Sequence, residues 1–296
     1  MKLQEILDKT IHFFKEKKYD SPRLDAELLL SSALGFRRID LYLKFDQPVN
    51  DEDLQRCREA VRRRSRGEPV AYIMGQRDFY GLTFTVDRRV LIPRPETELL
   101  AEEAILYGQK LKLADGAMPP LEILDLGSGS GCLGLTLAHK IPEARVTLVD
   151  VSTDALQVAR LNAEKLGLYE RVQFIEGDAA QLLVDQQFDI VVANPPYIAP
   201  DDKNLSADVV KYEPRTALFA DDEGLAMIRS WSQNIFRSLK PGAFIGFETG
   251  MDQGAKARAH FSQLGLESVR TIKDLAGLDR HVVGRKALQD KGKSNG

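Results

Sequence analysis

The spacing of apolar residues divides this chain of 296 residues into a helical first part and a longer part of mixed character. Over residues 1–75, apolar side chains recur at helical spacing, as in the segment Leu3–Phe14. Ser21-Pro22 predicts a second helix, because serine is a frequent N-cap and proline is favoured at the first helical position. Asp51 opens a further helix, whose acidic start and arginine-rich end suit the helix dipole. We therefore expect a small N-terminal helical bundle.

A different pattern follows in residues 76–96. The stretch Arg77–Val86 is typical of a β-hairpin with Gly81 near its turn. The proline-bearing stretch Leu91–Glu98 predicts an extended connector, and Thr97 is expected to cap the helix that begins there. We interpret residues 76–96 as a β-hairpin linker between two domains.

From residue 97 to residue 288, short apolar segments alternate with helical ones. Such alternation predicts a mainly parallel sheet covered by helices on both faces. The last two strands have no helix between them, so one of the two is expected to run antiparallel. The predicted fold class is α/β, a Rossmann-like, doubly wound sheet of seven strands, and the tail 289–296 is expected to be disordered. The predicted strands are Leu121–Leu126, Val146–Val149, Val172–Ile175, Phe188–Ala193, Ala243–Phe247, Ser268–Ile272 and His281–Arg285.

Composition narrows the classes of function. No apolar run approaches the roughly 20 residues that cross a bilayer, and the N-terminus lacks the pattern of a signal peptide. Cys57 and Cys132 are the only cysteines, which indicates a reducing cytoplasm rather than a disulfide framework. The histidines and cysteines lack metal-ligand spacing, so we expect no metal site. A net charge of −3 argues against nucleic-acid binding through bulk electrostatics.

A glycine-rich loop, Gly127-Ser128-Gly129-Ser130-Gly131, follows the first predicted strand of the sheet. Glycines at this position let the backbone turn sharply and approach a ligand closely. The pattern differs from the dinucleotide fingerprint, since Cys132 holds its third glycine position, and the lysine of a P-loop is absent. The loop therefore predicts a nucleoside ligand without a phosphate clamp.

Acidic residues follow the next two strands. Asp150 lies about 20 residues beyond the loop, where a carboxylate accepts hydrogen bonds from ribose hydroxyls. Asp178 ends the third strand and is placed to accept from an adenine amino group. A ligand with an adenine and ribose hydroxyls but no phosphate indicates S-adenosylmethionine as the cofactor.

The tetrapeptide Asn194-Pro195-Pro196-Tyr197 carries the predicted chemistry. It follows a buried strand, and its two prolines force the chain out of the sheet as a stiff loop. In open α/β sheets this carboxyl edge is where ligands bind. A rigid asparagine beside a proline carbonyl and an aromatic ring can hold a planar group that carries an NH2. The tetrapeptide therefore predicts catalysis at an amide or amino nitrogen, with these four residues as catalytic and substrate-binding residues and Asn194 also beside the cofactor.

Taken together, these motifs resemble those of class I methyltransferases and, within them, the HemK/PrmC family of N5-glutamine methyltransferases of peptide-chain release factors. The likeness covers nearly the whole chain. Beyond the loop and the tetrapeptide, it is carried by Asp78–Gly81, Leu91–Glu98, Tyr212–Pro214, Leu218–Ala220, Asp222–Leu225, Phe247–Gly250 with Gln253, and Asp274–Gly277.

The resemblance implies a substrate and a set of roles. We therefore expect the substrate to be the glutamine of the Gly-Gly-Gln loop of release factors 1 and 2, and we expect the N-terminal helical domain to dock that protein. Position 179 lines the adenine pocket; relatives often carry an aromatic residue there, whereas this chain has Ala179. Arg94, in the connector, is expected to border the cleft and contact the substrate. We expect a monomer with no direct contact to nucleic acid or membrane.

Three other functions fit parts of the pattern. A sister enzyme with the same tetrapeptide would methylate a glutamine of a ribosomal protein. Adenine N6 methylation of DNA or RNA uses the same tetrapeptide, although the net charge gives little support for it. A helical adaptor with an inactive methyltransferase-like domain is the third, and the intact glycine loop with Asp150 and Asn194 argues against it.

Overall fold

The computed structural model describes residues 1–114, 119–182, 185–202 and 205–288, so the predicted tail 289–296 lies outside the described residues. The chain forms two compact units. One comprises Met1–Arg77, Val86–Arg88 and Leu205–Tyr212, and the other contains the remaining described residues. The boundaries predicted at residues 75, 96 and 288 stay predictions. Within the described part of the chain, no helix is both long and apolar enough to span a membrane.

The smaller unit is helical, as predicted. Asn50 caps its longest helix by accepting a hydrogen bond from the Asp53 backbone N–H at 2.8 Å. The predicted cap at Ser21 is wrong, because its side chain makes no capping bond and the helix instead starts on the fixed φ of Pro22. The buried core includes Leu3, Phe14, Leu29, Leu30, Leu41 and Cys57. The helices are α1 (Leu3–Glu16), α2 (Pro22–Leu34), α3 (Asp40–Leu43), α4 (Asp51–Ser65), α5 (Val70–Met74) and α9 (Ala207–Tyr212).

The predicted hairpin is present, with strands β1 (Gln76–Phe79) and β2 (Leu82–Thr85). Tyr80 and Gly81 form its turn with positive φ angles of 50° and 78°. Two successive positive φ values are the pattern of the tight turn that best matches the twist of paired strands. Glycine at the second position therefore lowers the strain of this turn.

The larger unit contains the predicted seven-stranded sheet. Its order is β5-β4-β3-β6-β7-β9-β8, and all neighbours are parallel except those of β9, which runs antiparallel to β7 and β8. The expectation of one antiparallel strand among the last two is confirmed. The strands are β3 (Glu122–Leu126), β4 (Arg145–Asp150), β5 (Val172–Glu176), β6 (Phe188–Ala193), β7 (Leu239–Glu248), β8 (Leu266–Lys273) and β9 (Asp279–Lys286).

Helices cover both faces of this sheet. Alternate residues of β6 point to opposite faces, so Ile190 and Val192 join one buried cluster while Val191 and Ala193 join the other. The first cluster packs against the hairpin and α6 (Thr97–Ala114), α7 (Cys132–Lys140) and α8 (Thr153–Lys165). The second packs against α10 (Ala226–Ile235) and α11 (Gly254–Gln263). The doubly wound α/β fold predicted above is therefore confirmed.

Candidate active site

The strand order reverses between β3 and β6, and this switch point positions the site. The two strands pair in parallel with Leu126 opposite Ala193, the last residue of each. The glycine loop and Asn194 therefore leave the sheet side by side at its carboxyl edge, where open α/β sheets bind ligands.

Each of the three glycines of the loop is required for a different structural reason. Gly127 has a φ of +67°, and a Cβ there would lie 2.8 Å from Cη2 of Trp231. Gly129 donates its backbone N–H to Oδ2 of Asp150 at 2.8 Å. Gly131 has a φ of +77°, and a Cβ there would approach core side chains at 3.0–3.3 Å. Gly127 and Gly129 therefore lie on the side of the loop that faces the cavity, whereas Gly131 is needed because core side chains pack closely against it.

Asp150 ends β4 with its carboxylate held by backbone amides. Oδ1 accepts from the Ser152 N–H at 2.9 Å, and Oδ2 accepts from Gly129. Burial raises the pKa of Asp150 above its ordinary value. Each carboxylate oxygen has a second lone pair, so both can still accept a ribose hydroxyl. Asp178 is exposed, and its Oδ1 accepts from the Ala180 N–H at 2.9 Å.

A third acid, Asp125, is buried at the end of β3, just before the loop. Its Oδ2 accepts from the Gly134 N–H at 2.9 Å, and burial raises its pKa to about 7. Burial likewise raises the pKa of the Cys132 thiol to about 12, which keeps it protonated and unreactive.

A cavity of about 380 Å³ lies at this edge of the sheet, within the larger unit. That volume falls inside the roughly 300–1,000 Å³ of small-molecule sites. Seven predicted site residues line it: Gly127, Gly129, Asp150, Asp178, Ala179, Asn194 and Pro196. The structure thus brings the loop, both strand-end acids and the tetrapeptide's asparagine to one cavity.

The other predicted site residues are placed differently. Ser128 and Ser130 are buried within the loop, and the Ser128 hydroxyl has no hydrogen-bond partner among the described residues. Pro195 is buried beside Asn194, and Tyr197 is turned toward Glu248. Roles for these residues stay predictions.

Sequence reasoning missed about two thirds of the residues that line the cavity. Trp231 and Met227 lie one turn apart on α10, a spacing that in sequence is indistinguishable from an ordinary core stripe. Trp231 is the only tryptophan in the chain, and its indole Nε1 is buried with no partner among the described residues. The other lining residues that were missed are Arg89, Val90, Leu91, Val151, Ser152, Ala155, Gly177, Pro214, Thr216, Ala217 and Phe219.

The cavity fits S-adenosylmethionine. Asp150 offers carboxylate acceptors for hydroxyls, and Trp231, Phe219 and Met227 offer apolar surface for a flat base. The small side chain of Ala179 leaves more of the cavity open than the aromatic residue that relatives often have there. Trp231 lines the same cavity and provides an aromatic surface. Among the described residues, no group of three or more His, Cys, Asp or Glu side chains is arranged to hold a metal ion.

The tetrapeptide is anchored on several sides. Tyr197 donates its hydroxyl to Oε1 of Glu248 at 3.1 Å, and burial raises the pKa of that hydroxyl. The carbonyl oxygen of Tyr197 accepts from Nε2 of Gln253 at 2.8 Å. A Cβ on Gly224 would overlap that same carbonyl oxygen, so only glycine fits there. The next residue, Ile198, pairs with the segment around Phe219 through two backbone hydrogen bonds.

Arg94 pairs with a buried acid. Its Nη2 lies 2.8 Å and 2.9 Å from the two carboxylate oxygens of Glu213, whose side chain is 1% exposed. The same carboxylate accepts from the backbone N–H of Ile92 at 3.4 Å. Glu213 thus ties the connector to the segment that lines the cavity, and substrate contact by Arg94 stays a prediction.

Comparison with known proteins identifies the family. Residues 5–75 match the PrmC N-terminal domain model, and residues 110–215 match the methyltransferase small domain model. The release factor glutamine methyltransferase of Chlorobaculum tepidum is 44% identical over 283 residues, covering 93% of this chain and 94% of that protein. This chain belongs to the release factor glutamine methyltransferase family. The family resemblance seen in the sequence is therefore confirmed.

Other comparisons agree with this family assignment. The release factor glutamine methyltransferase of Geobacter sulfurreducens is 40% identical over 284 residues and 96% of each chain. A solved methyltransferase from Pyrococcus furiosus superposes with a TM-score of 0.52 at 18% identity, over 71% of this chain and 91% of that one. This last likeness shows the class I methyltransferase fold.

Proposed function

We propose that this protein transfers a methyl group from S-adenosylmethionine to the side-chain amide nitrogen, N5, of the glutamine in the Gly-Gly-Gln loop of peptide-chain release factors 1 and 2. Membership of the release factor glutamine methyltransferase family supports the substrate. The single observation that carries the chemistry is the placement of Asn194, on a proline-stiffened corner, in the wall of a cavity that also contains Asp150 and the glycine loop. The protein acts as a monomer in the cytoplasm.

The chemical problem is the weak nucleophilicity of an amide nitrogen. Its lone pair is delocalised into the carbonyl, on a scale set by the ~18–20 kcal/mol barrier to rotation about an amide. Bound S-adenosylmethionine supplies a methyl group on a sulfonium, which is reactive in itself. The residues of this chain therefore need to position the amide and stabilise charge on its nitrogen.

Asn194 and Pro195 do both. The Asn194 side-chain oxygen and the Pro195 carbonyl each accept one N–H of the glutamine amide, and Tyr197 packs on its plane. As the nitrogen gains positive charge, both acceptors bind its hydrogens more strongly, which stabilises the transition state selectively. Two such bonds contribute about 0.5–1.5 kcal/mol apiece, or up to ~3 when charged, so most of the rate enhancement comes from alignment, which can supply roughly 7–11 kcal/mol.

Asp150 and Asp178 hold the nucleoside part of the cofactor. The Asp150 carboxylate, already oriented by Gly129 and Ser152, accepts the two ribose hydroxyls. Asp178 accepts from the adenine amino group, and Ala179 and Trp231 border the base. The proton left on the nitrogen after transfer departs to water, since no general base is required once the amide is methylated.

Methyl transfer from radiolabelled S-adenosylmethionine tests the proposal. The acceptors are purified release factors 1 and 2, a ribosomal protein with an exposed glutamine, and DNA and RNA. Label in the release factors, with mass analysis placing one methyl on the glutamine of the Gly-Gly-Gln peptide, is the expected result. A release factor with that glutamine replaced by asparagine is the control. Label only in the ribosomal protein or the nucleic acid would refute the proposed substrate, and light scattering measures the oligomeric state.

A further inference from the structure

A chain of hydrogen bonds lies behind Asn194. Its side-chain Nδ2 donates to Oγ1 of Thr97 at 3.2 Å, and the Thr97 hydroxyl donates to Oε2 of Glu248 at 2.5 Å. Thr97 and Glu248 are only 2% and 1% exposed. The second carboxylate oxygen of Glu248 accepts from the Tyr197 hydroxyl. Two residues of the tetrapeptide therefore converge on one buried carboxylate, one of them through a hydroxyl.

The direction of this chain follows from which groups can donate. A carboxylate has acceptors only, so the single Thr97 hydroxyl proton points to Glu248. The Thr97 oxygen can then only accept, and its partner on Asn194 has to be the NH2 group rather than the oxygen. The two ends of an amide lie on opposite sides of its Cγ. With Nδ2 turned to Thr97, the Asn194 oxygen is left for the cavity that this residue lines.

That orientation decides whether Asn194 can do its proposed task. A substrate amide nitrogen presents two N–H donors and needs an acceptor. A flipped Asn194 would present its own NH2 group, a donor facing donors. The polarity of the Thr97–Glu248 pair therefore excludes the unproductive orientation, and donation by Nδ2 also polarises the amide so that its oxygen becomes a better acceptor.

The Thr97–Glu248 pair connects a helix and a strand of the larger unit. Thr97 is the first residue of α6, and Glu248 is the last residue of β7, two strands from β3. His281 of β9 is fully buried, and its Nε2 lies 3.5 Å from Oε2 of Glu248, the carboxylate oxygen that also accepts from Thr97. The sequence pattern predicts Thr97 as the N-cap, but Thr97 is already the first residue of α6, and its hydroxyl donates to Glu248 while its oxygen accepts from Asn194.

We propose that Thr97 and Glu248 are positioning residues, which set the orientation of the Asn194 amide so that its oxygen faces the substrate nitrogen. The proposal rests on the proposed function of Asn194 and adds to it residues that touch neither substrate nor cofactor. It also assigns to Tyr197 a second task, which is to hold Glu248 from its other oxygen.

Thr97→Val tests the proposal, because it removes the hydroxyl and nearly preserves the volume. Loss of the residue that orients a metal ligand typically costs 10- to 100-fold, and by analogy we expect kcat for release factor methylation to fall by roughly that factor. Cofactor affinity and the KM for release factor should stay near wild type. Thr97→Ser keeps the hydroxyl and should restore kcat. Equal activity of the valine and serine variants would overturn the proposal.

A double-variant cycle separates orientation from general damage. If Thr97 acts only through Asn194, then Thr97→Val should cause no further loss in an Asn194→Ala background, since the two effects share one interaction. Losses that multiply would contradict the proposal. Glu248→Gln provides a second variant of near-identical shape: it places an NH2 among the acceptors, lets the Thr97 hydroxyl turn, and should also lower kcat with little change in KM.

One readout does not depend on the methylation reaction. The Asn194 side-chain NH2 resonance can be assigned by its disappearance in Asn194→Ala. We expect it to be protected from exchange in the wild type and in Thr97→Ser, and to lose that protection in Thr97→Val. Protection with no methylation of any acceptor would refute the proposed function while leaving the orientation intact. Absence of protection in the wild type would refute the orientation.

Discussion

On the proposed mechanism, replacing Asn194 with alanine removes one acceptor for the substrate amide and little else. The side chain is half-buried, and its bond to Thr97 is long at 3.2 Å. Losing that bond should lower the free energy of unfolding by only about 1 kcal/mol. Loss of one preorganised group that stabilises transition-state charge costs roughly 100- to 1,000-fold in kcat. We therefore expect a nearly intact fold with a very slow reaction.

The assay compares kcat for release factor methylation with the dissociation constant for S-adenosylmethionine, measured separately by calorimetry. Asn194→Ala should lower kcat by the factor above and leave the dissociation constant near wild type, because Asp150 and the glycine loop are unchanged. A variant that binds cofactor normally and methylates at the wild-type rate would refute the role of Asn194.

Asn234→Ala is the matched control. Asn234 lies on α10 and donates to the carbonyl oxygens of Ala179 and Leu182 at 3.0 Å and 2.9 Å. Its loss releases the segment that borders the cofactor cavity. We expect weaker cofactor binding, by about 1–2 kcal/mol or roughly 5- to 30-fold, with kcat at saturating cofactor largely kept. Asn194→Ala should therefore lower kcat, whereas Asn234→Ala should weaken cofactor binding. Identical defects in the two variants would contradict the separation of cofactor and substrate roles.

Three further results are expected. Because Trp231 is the only tryptophan and lines the cavity, S-adenosylmethionine should change the tryptophan fluorescence of the protein; a titration with no change would place the ligand elsewhere. Burial raises the Asp125 pKa from 3.8 to about 7, so the folded state holds a proton that the unfolded state releases, and stability is lost as pH rises through that window. Asp125→Asn should therefore have the same free energy of unfolding as the wild type near pH 3.8, and a free energy of unfolding about 4 kcal/mol higher above pH 7. Denaturation without cofactor measures both values, and a difference that does not depend on pH would contradict this expectation. Arg94→Ala unpairs the buried Glu213 carboxylate and should cost about 3–5 kcal/mol of stability, whereas Arg94→Lys should cost less; an unchanged unfolding midpoint in Arg94→Ala would mean that the ion pair stabilises nothing.

The fold was predictable wherever the apolar residues followed a single spacing, either that of a strand or that of a helix. The β-branched run of β6 and the alternation of strand and helix predict the sheet, and the prolines after Ala193 fix where the chain leaves it. Pro241 and Gly242 obscured the first half of β7, because both residues disfavour strands. The strand nevertheless begins at Leu239, with an irregular register against β6 between Phe188 and Ile190. Tertiary pairing there overrides local preference.

The site was predictable where a motif follows a strand and not where residues far apart in sequence meet. The glycine loop, Asp150 and Asn194 each follow a strand, so their convergence follows from topology. Trp231 and Thr97 carry no such signal. A tryptophan on a helix and a threonine at a helix start both have ordinary structural explanations, and only the spatial contacts reveal Gly127 against the indole and Glu248 against the hydroxyl.

Gly224 has a consequence for any survey of variants of this protein. A residue with a side chain at that position would push on the Tyr197 carbonyl and so displace the corner that carries Asn194. A screen scored by methylation alone would therefore rank Gly224 with the chemically active residues, although a glycine has no group to contribute. Scoring protein abundance and cofactor retention beside turnover would separate residues that shape the corner from residues that react in it.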